Sequence, residues 1–208
     1  MWTAKYSEQE LIANASKGDL DAFNQLVLEH QDSAYQYALA LAKDPDMADD
    51  ITQESFIKAF QNISRFRNGS FRGWVLKIVA NTIRDHWRRT KRHPTLALVP
   101  EGVDGEELGT PAWMVDPANS VEDTVQGKEN CHYLKQTLDE LPSIYREVIV
   151  LIDAHELDYI EVGQILQVPI GTVKSRLARA RIQLREKLTG DSSYSWRGNG
   201  TLLLASCI

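Results

Sequence analysis

Helical periodicity runs through almost the whole sequence, and this feature limits the possible folds most. Apolar residues recur every three or four positions, whereas the strict alternation that marks a half-buried strand is nearly absent. The clearest case is the segment 170–188, where one narrow stripe is apolar: Val173, Leu177, Ala180, Leu184 and Leu188. The sequence therefore predicts an all-α fold.

Capping signals and spacing predict the other helices. The first helix begins with a Ser7–Glu10 capping box, and the second follows Asp19 and carries Phe23 and His30. The third spans Tyr35–Lys43, and the fourth is capped by Asp46. The remaining predicted helices are Phe71–Lys91, Lys128–Leu141, Ser143–His155 and Asp158–Gln167.

The charge distribution indicates two basic surfaces on an acidic chain. The net charge of −6 argues at first against nucleic acid. However, residues 65–93 include nine lysines and arginines and only one acidic residue. Residues 170–189 include six lysines and arginines and only one acidic residue. Between them, 101–129 holds eight acidic residues against one lysine. Two basic islands of this kind favour two DNA-facing domains on a linker, and two solvated helix faces are the alternative.

The predicted organisation is two small helical domains. Prolines, glycines and acidic clusters mark 94–127 as a linker between a domain over 1–93 and a domain over 128–189. The tail, 190–208, is predicted to be disordered.

The last helix has the face that a major groove requires. Small residues, hydroxyls and cations lie opposite or beside its apolar stripe: Thr172, Lys174, Ser175, Arg176, Ala178 and Arg179. A three-residue turn ending at Pro169 separates it from a helix containing Gly163, where a small residue permits close crossing. This spacing predicts a helix-turn-helix, and an amphipathic hairpin with a basic outer face is the alternative.

A second stripe suits single-stranded DNA. Opposite the apolar side of the helix at 71–91 lie Trp74, Lys77, Asn81, Arg84, Arg88 and Lys91. Cations follow phosphates, an aromatic ring stacks on a base, and an amide reads a base edge. The preceding turn, with Phe66, Asn68 and Ser70, has the composition to hold a flipped base. Trp74 as a core residue is the alternative interpretation.

Two motifs resemble a known family. The run Gly171–Leu177 followed by Ala178–Arg181 closely resembles the promoter-reading helix of bacterial sigma factors, particularly the small extracytoplasmic-function (ECF) class. The segment Phe71–Val75 with Ala80 and Asn81 is similar to the helix with which these proteins recognise and open the −10 element.

The resemblance implies a role for each surface. The major-groove face is expected to read the −35 element, and Phe66, Asn68, Ser70, Trp74, Lys77, Asn81, Arg84 and Arg88 are expected to bind and melt the −10 element. The segment Ala48–Phe56 is similar to the helix that sigma factors dock onto the coiled coil of the largest polymerase subunit. That similarity implies polymerase contacts from Asp50, Gln53 and Glu54, whose acidic face suits a basic partner. An ordinary solvated face is the alternative.

Two positions depart from the family pattern. Relatives often carry alanine where this chain has Gly163, and glycine where it has Gln167 in the turn. These changes are expected to loosen the first helix of the pair or to strain the turn.

The expected function is that of an alternative sigma factor with sigma region 2 and region 4 types of domain. Its implied partners are core RNA polymerase (the largest-subunit coiled coil and the flap), promoter DNA and an anti-sigma factor. No phosphate-binding loop, catalytic motif or metal-ligand spacing is present, so no cofactor, metal or catalysis is expected. The N-terminus lacks an apolar signal segment, which predicts a cytoplasmic protein.

Two other classes fit less well. A stand-alone response-type regulator would need an N-terminal domain of alternating strands and helices. A helical metal hydrolase would need clustered ligands.

Overall fold

A computed structural model describes residues 6–67, 69–92 and 131–189, and its regular structure within these ranges is entirely helical. This confirms the all-α prediction. The helices are α1 (Glu8–Ala15), α2 (Leu20–Ala42), α3 (Pro45–Asn62), α4 (Phe71–Arg92), α5 (described over 131–139), α6 (Ser143–Ile149), α7 (Tyr159–Leu166) and α8 (Ile170–Thr189). A 3₁₀ turn, Ile63–Arg65, follows α3, and a π-helical turn, Val150–Ala154, follows α6.

Capping boxes start α1 and α7, as the sequence predicts for α1. The Ser7 hydroxyl accepts the Glu10 backbone N–H, and the Glu10 carboxylate accepts the Ser7 N–H at 2.8 Å. In α7, the Asp158 carboxylate accepts the backbone N–H groups of Ile160 and Glu161 at 2.7 and 2.8 Å. Both caps satisfy amides that have no partner within their helix.

The second and third predicted helices are one continuous helix, α2. A break was expected between His30 and Tyr35, but this segment contains neither proline nor glycine. Adding residues to an existing helix costs little, and burial of Ala34 within the segment favours continuation.

The predicted cap of α3 was also wrong. Asp44, not Asp46, accepts the Met47 N–H at 2.8 Å. Pro45 then occupies the first turn, where its fixed φ and missing N–H are tolerated. Lys43 ends α2 with a left-handed φ of 61°.

The helices α1–α4 form one group around a common core. The predicted apolar side of α4 is buried at Val75, Leu76, Val79, Ala80 and Ile83, and its last member, Trp87, is half-buried against the core. It packs against α2 and α3, which bury Leu26, Tyr37 and Ile51. Because this side of α4 faces inward, its opposite side is directed away from the core.

The helices α5–α8 form the second group. All five residues of the α8 apolar stripe are buried, as predicted. Gly163 allows a close approach where α7 meets the turn, because a Cβ there would lie 3.1 Å from the Val168 carbonyl oxygen, which would have to shift by a few tenths of an ångström. Gln167 adopts a left-handed φ of 57°, which confirms the expected strain at this position.

The two groups contact each other through α4 with α7 and α2 with α6. Nothing in the helical spacing predicted this contact. The predicted linker and tail, 94–127 and 190–208, lie outside the described residues, as do Asn68 and the Lys91 side chain. Within the described ranges, no helix has the length and apolar character needed to cross a membrane.

Candidate nucleic-acid and polymerase interfaces

The first candidate surface is the outer face of α8. Lys174, Ser175, Ala178 and Arg179 are exposed, and Thr172 and Arg176 are half-buried. The Ser175 hydroxyl donates to the Thr172 carbonyl at 3.0 Å, and the Lys174 ammonium lies 5.6 Å from the Tyr159 ring centroid. The predicted residues therefore share one surface of a single rigid helix.

Arg181 belongs to the same basic island, and its side chain is 47% exposed but bonded within the α5–α8 group. Its guanidinium forms two hydrogen bonds with the Asp153 carboxylate, one of them from Nε to Oδ2 at 3.1 Å. This bond raises the pKa of Arg181. Asp153 is 1% exposed and sits in the π-helical turn, so the pair ties α8 to the end of α6. No sequence signal marks it, since the partners are 28 residues apart.

The second candidate surface is the outer side of α4. The Trp74 ring is half-buried, with centroids 5.3 Å from Phe66 and 5.6 Å from Phe71. Trp74 thus combines both interpretations, because it packs against the core and also lines a surface cavity. Arg84 donates from Nη1 to the side-chain oxygen of Asn81, Oδ1, at 3.0 Å, which orients the Asn81 amide. Arg88 pairs with Asp85 at 3.3 Å.

A cavity of about 430 Å³ lies where α4 meets the preceding turn. Its N-terminal side includes four predicted residues, Phe66, Ser70, Trp74 and Lys77. Arg65 and Arg67 of the predicted base-holding turn add two cations. Gly69 and Gly73 also line the cavity, and α7 contributes Glu161, Gln164 and Ile165. The cavity combines aromatic surface and positive charge, which suits an unstacked nucleotide.

The third candidate surface is on α3. Asp50 and Gln53 are exposed, and Glu54 is half-buried and pairs with Lys58 at 2.7 Å. These residues and Met47 surround a shallow cavity of about 350 Å³, together with Ile57, which is 59% exposed. The predicted acidic face therefore contains an apolar centre that the prediction missed.

Within the three described ranges, no group of three or more histidine, cysteine, aspartate or glutamate side chains is arranged to hold a metal ion.

Comparison with known proteins assigns the family. Residues 26–93 match the family model described as Sigma-70 region 2, and residues 131–184 match Sigma-70, region 4. The ECF RNA polymerase sigma factor SigW of Bacillus subtilis is 38% identical over 178 residues, which span 85% of this chain and 94% of SigW. This chain belongs to the ECF class of RNA polymerase sigma factors.

Other relatives agree. This sigma factor is 35% identical over 181 residues to the ECF sigma factor SigE of Mycolicibacterium smegmatis, covering 87% of the chain and 67% of SigE. It is 30% identical over 183 residues to the ECF sigma-E factor of Escherichia coli, and the match spans 88% of this chain and 94% of that protein. The predicted family and function, an alternative sigma factor that directs promoter-specific initiation, are confirmed.

Solved structures share the fold. The structure of CnrH in complex with the cytosolic domain of CnrY has a TM-score of 0.61 at 24% identity, covering 88% of this sigma factor and 98% of that chain. The sigma factor RpoE of Bartonella quintana, solved with the anti-sigma factor NepR, has a TM-score of 0.57 at 25% identity. The match covers 83% of this sigma factor and 99% of the RpoE chain.

Proposed function

We propose that this sigma factor divides promoter recognition between its two helix groups. The α8 face reads the −35 element as duplex, and the α4 stripe with its cavity binds and opens the −10 element. One observation carries this assignment. Both helices bury an apolar stripe and present, on the opposite side, the side chains that duplex or single-stranded DNA requires.

The −35 site consists of Thr172, Lys174, Ser175, Arg176, Ala178 and Arg179. Ala178 is exposed and short, so α8 can approach the floor of the major groove closely. The exposed Arg179 lies one residue further along and can reach base edges. Lys174 and Arg176 flank this face and contribute phosphate contacts.

Replacing Arg179 by alanine is expected to weaken promoter-specific binding by about 1–3 kcal/mol, because a bidentate contact to a base is lost. The measurement is binding of the reconstituted holoenzyme to promoters with intact and with altered −35 elements. Lys17→Ala, which removes the same charge from the exposed α1–α2 turn, is the control. An equal loss on both promoters would contradict base reading and would indicate a phosphate contact.

The −10 site consists of Phe66, Asn68, Ser70, Trp74, Lys77, Asn81, Arg84 and Arg88. The Phe66–Trp74 cluster supplies a rigid aromatic wall, and the cations along α4 follow the strand. Arg84 holds the Asn81 amide in a fixed orientation, as an edge-reading residue requires.

Replacing Asn81 by alanine is expected to impair −10 opening by about tenfold, or about 1.4 kcal/mol, while −35 binding is retained. Permanganate reactivity of −10 thymines in the holoenzyme–promoter complex measures the opening. Asn24→Ala, on the exposed side of α2, is the matched control. If Asn81→Ala opens promoters normally, Asn81 does not read the strand.

The polymerase-binding site consists of Asp50, Gln53 and Glu54 on α3. An exposed apolar centre at Ile57 inside an acidic rim fits a basic partner helix with apolar residues. The flap is the proposed second polymerase contact, made by the C-terminal group. An anti-sigma factor is a further proposed partner, by analogy with RpoE and NepR.

The proposed domain limits are 1–93 and 128–189, with the linker 94–127 between them and the tail 190–208 outside. The protein is proposed to act in the cytoplasm as a non-catalytic subunit, because polymerisation belongs to the core enzyme.

Run-off transcription tests the whole proposal. Purified core polymerase, this protein and a library of genomic promoters should yield discrete starts, and the protein should co-purify with core polymerase. Tight duplex binding by the free protein, without co-purification or specific starts, would overturn it.

A further inference from the structure

The outer face of α8 contains an aliphatic residue, Ile182, which is 46% exposed. We propose that Ile182 is a further specificity-determining residue of the −35 site, and that it recognises a thymine through contact with the 5-methyl group of the base. This inference rests on the proposed assignment of the α8 face to the −35 element.

Ile182 lies in line with residues already placed on this face. At about 100° per residue along α8, Ile182 and Ser175 point within about 20° of each other. Ala178 and Arg179 lie between them, at the third and fourth positions after Ser175. Base-contacting residues of a homeodomain recognition helix have the same i, i+3, i+4 and i+7 spacing. Ile182 therefore faces the same groove as the three residues before it.

The length of this row matches a short run of base pairs. At a rise of about 1.5 Å per residue, Ser175 and Ile182 are about 10.5 Å apart along the axis of α8. Base pairs of B-DNA are stacked about 3.4 Å apart, so the row spans about three base-pair steps. Among the residues that the structure describes, no atom lies within 4 Å of a Cβ built on Gly171, at the start of the same side of α8. The outer side of α8 is thus open for entry into a major groove.

The row ends one turn after Ile182. Glu186, four residues further on, is exposed, and the DNA phosphates would repel its carboxylate. Ile170, the other isoleucine of α8, is 43% exposed but lies against α7, because its Cγ1 would be 3.9 Å from a Cβ at Gly163. Ile182 is therefore the isoleucine of α8 that is placed to contact bases, at the outer end of the row.

The side chain of Ile182 has no hydrogen-bonding group, which limits what it can recognise. In the major groove, guanine, adenine and cytosine present hydrogen-bonding groups. An aliphatic side chain placed against them displaces water without replacing its hydrogen bonds. Thymine also presents a methyl group, and burial of this group against an aliphatic side chain is favourable. Ile182 therefore favours thymine at the −35 position that it faces.

Selection from a promoter library tests this preference. The reconstituted holoenzyme binds promoters with a randomised −35 element and the −10 element of a promoter identified by run-off transcription, and the bound sequences are counted. The wild type is expected to prefer thymine at one outer position, and Ile182→Ala is expected to lose about fourfold of this preference. Ile144→Ala is the matched control, because Ile144 is 45% exposed on α6 of the same helix group.

A glutamine at the same position tests whether this residue faces a base. The amide of glutamine pairs with the N6 and N7 groups of adenine in the major groove. Ile182→Gln should therefore change the preference at that one position from thymine to adenine and leave the other −35 positions unchanged.

Deoxyuridine isolates the contribution of the methyl group. Replacing the preferred thymine by deoxyuridine removes the 5-methyl group and keeps the base pair. Binding of the wild-type holoenzyme should weaken about fourfold, as expected for one buried methyl group, whereas Ile182→Ala should bind both duplexes equally. Ile182→Ala should unfold at the same temperature as the wild type, because substitution of an exposed residue has little effect on stability.

Several outcomes would overturn the inference while leaving the −35 assignment intact. They are an unchanged base preference in Ile182→Ala, the absence of a thymine preference in the wild type, and equal weakening by deoxyuridine in the wild type and in Ile182→Ala. Failure of the assignment itself is detected separately, because Arg179→Ala would then weaken binding equally to promoters with intact and with altered −35 elements.

Discussion

Replacing Arg181 by alanine should lower the free energy of unfolding of the α5–α8 group by about 3–5 kcal/mol, because the substitution leaves a buried carboxylate without its partner. Asp153 is 1% exposed and receives two hydrogen bonds from this guanidinium. The measurement is urea unfolding followed by circular dichroism. Promoter-specific transcription should fall with stability, since Asp153 anchors α8.

The reverse substitution distinguishes this explanation from loss of a DNA contact. Asp153→Ala should cost less, because the Arg181 side chain is 47% exposed and can return to solvent. The double variant should be more stable than Arg181→Ala alone, as expected for coupled partners. Additive losses would show that the two residues act independently, and Arg181 would then have to be reconsidered as a DNA-binding residue.

Replacing Arg146 by alanine should lower the free energy of unfolding by about 3–5 kcal/mol, because several helix-end carbonyls lose their donor at once. Arg146 is 4% exposed. Its Nε donates to the backbone carbonyl oxygen of Leu138 at 2.9 Å. Its Nη2 donates to the backbone carbonyl oxygens of Asp139 and Leu141 at 2.7 Å each. A fourth bond, from Nη1 at 3.3 Å, reaches the Ala40 carbonyl of α2.

Lysine at this position keeps the charge but cannot donate hydrogen bonds to all of these carbonyl oxygens at once. Arg146→Lys should therefore be more stable than Arg146→Ala but less stable than the wild type. Lys135→Ala, an exposed change on α5, should alter the free energy of unfolding by less than about 0.5 kcal/mol. A loss below about 1 kcal/mol for Arg146→Ala would mean that water replaces the guanidinium at these carbonyls.

The buried faces of α4 and α8 were predictable because helical periodicity is a local property. Val173 and Leu177 lie on one side of a helix whatever the rest of the chain does, so Ala178 and Arg179 must lie on the other. The start of α7 was equally accessible, since a capping box spans only four residues.

The errors in α2 and α3 came from boundaries, where competing local signals differ little in free energy. Asp44 and Asp46 are both acceptable caps by residue type, and Pro45 decides between them by occupying the first turn. The continuity of α2 depended on burial of Ala34, which is set by the neighbouring helices.

By itself, the sequence determined the helical class, the two candidate recognition faces and the family, because each depends on residues within one or two helical turns. Only the tertiary structure decided which of the basic residues lie on the two proposed DNA-binding faces and which bond to other parts of the protein. Arg181 and Arg146 look like surface cations in the sequence, yet their acceptors lie up to 106 residues away. The contact of His155 with Ser33 spans 122 residues. Such pairings follow from how the helix groups pack, and no periodicity along the chain encodes them.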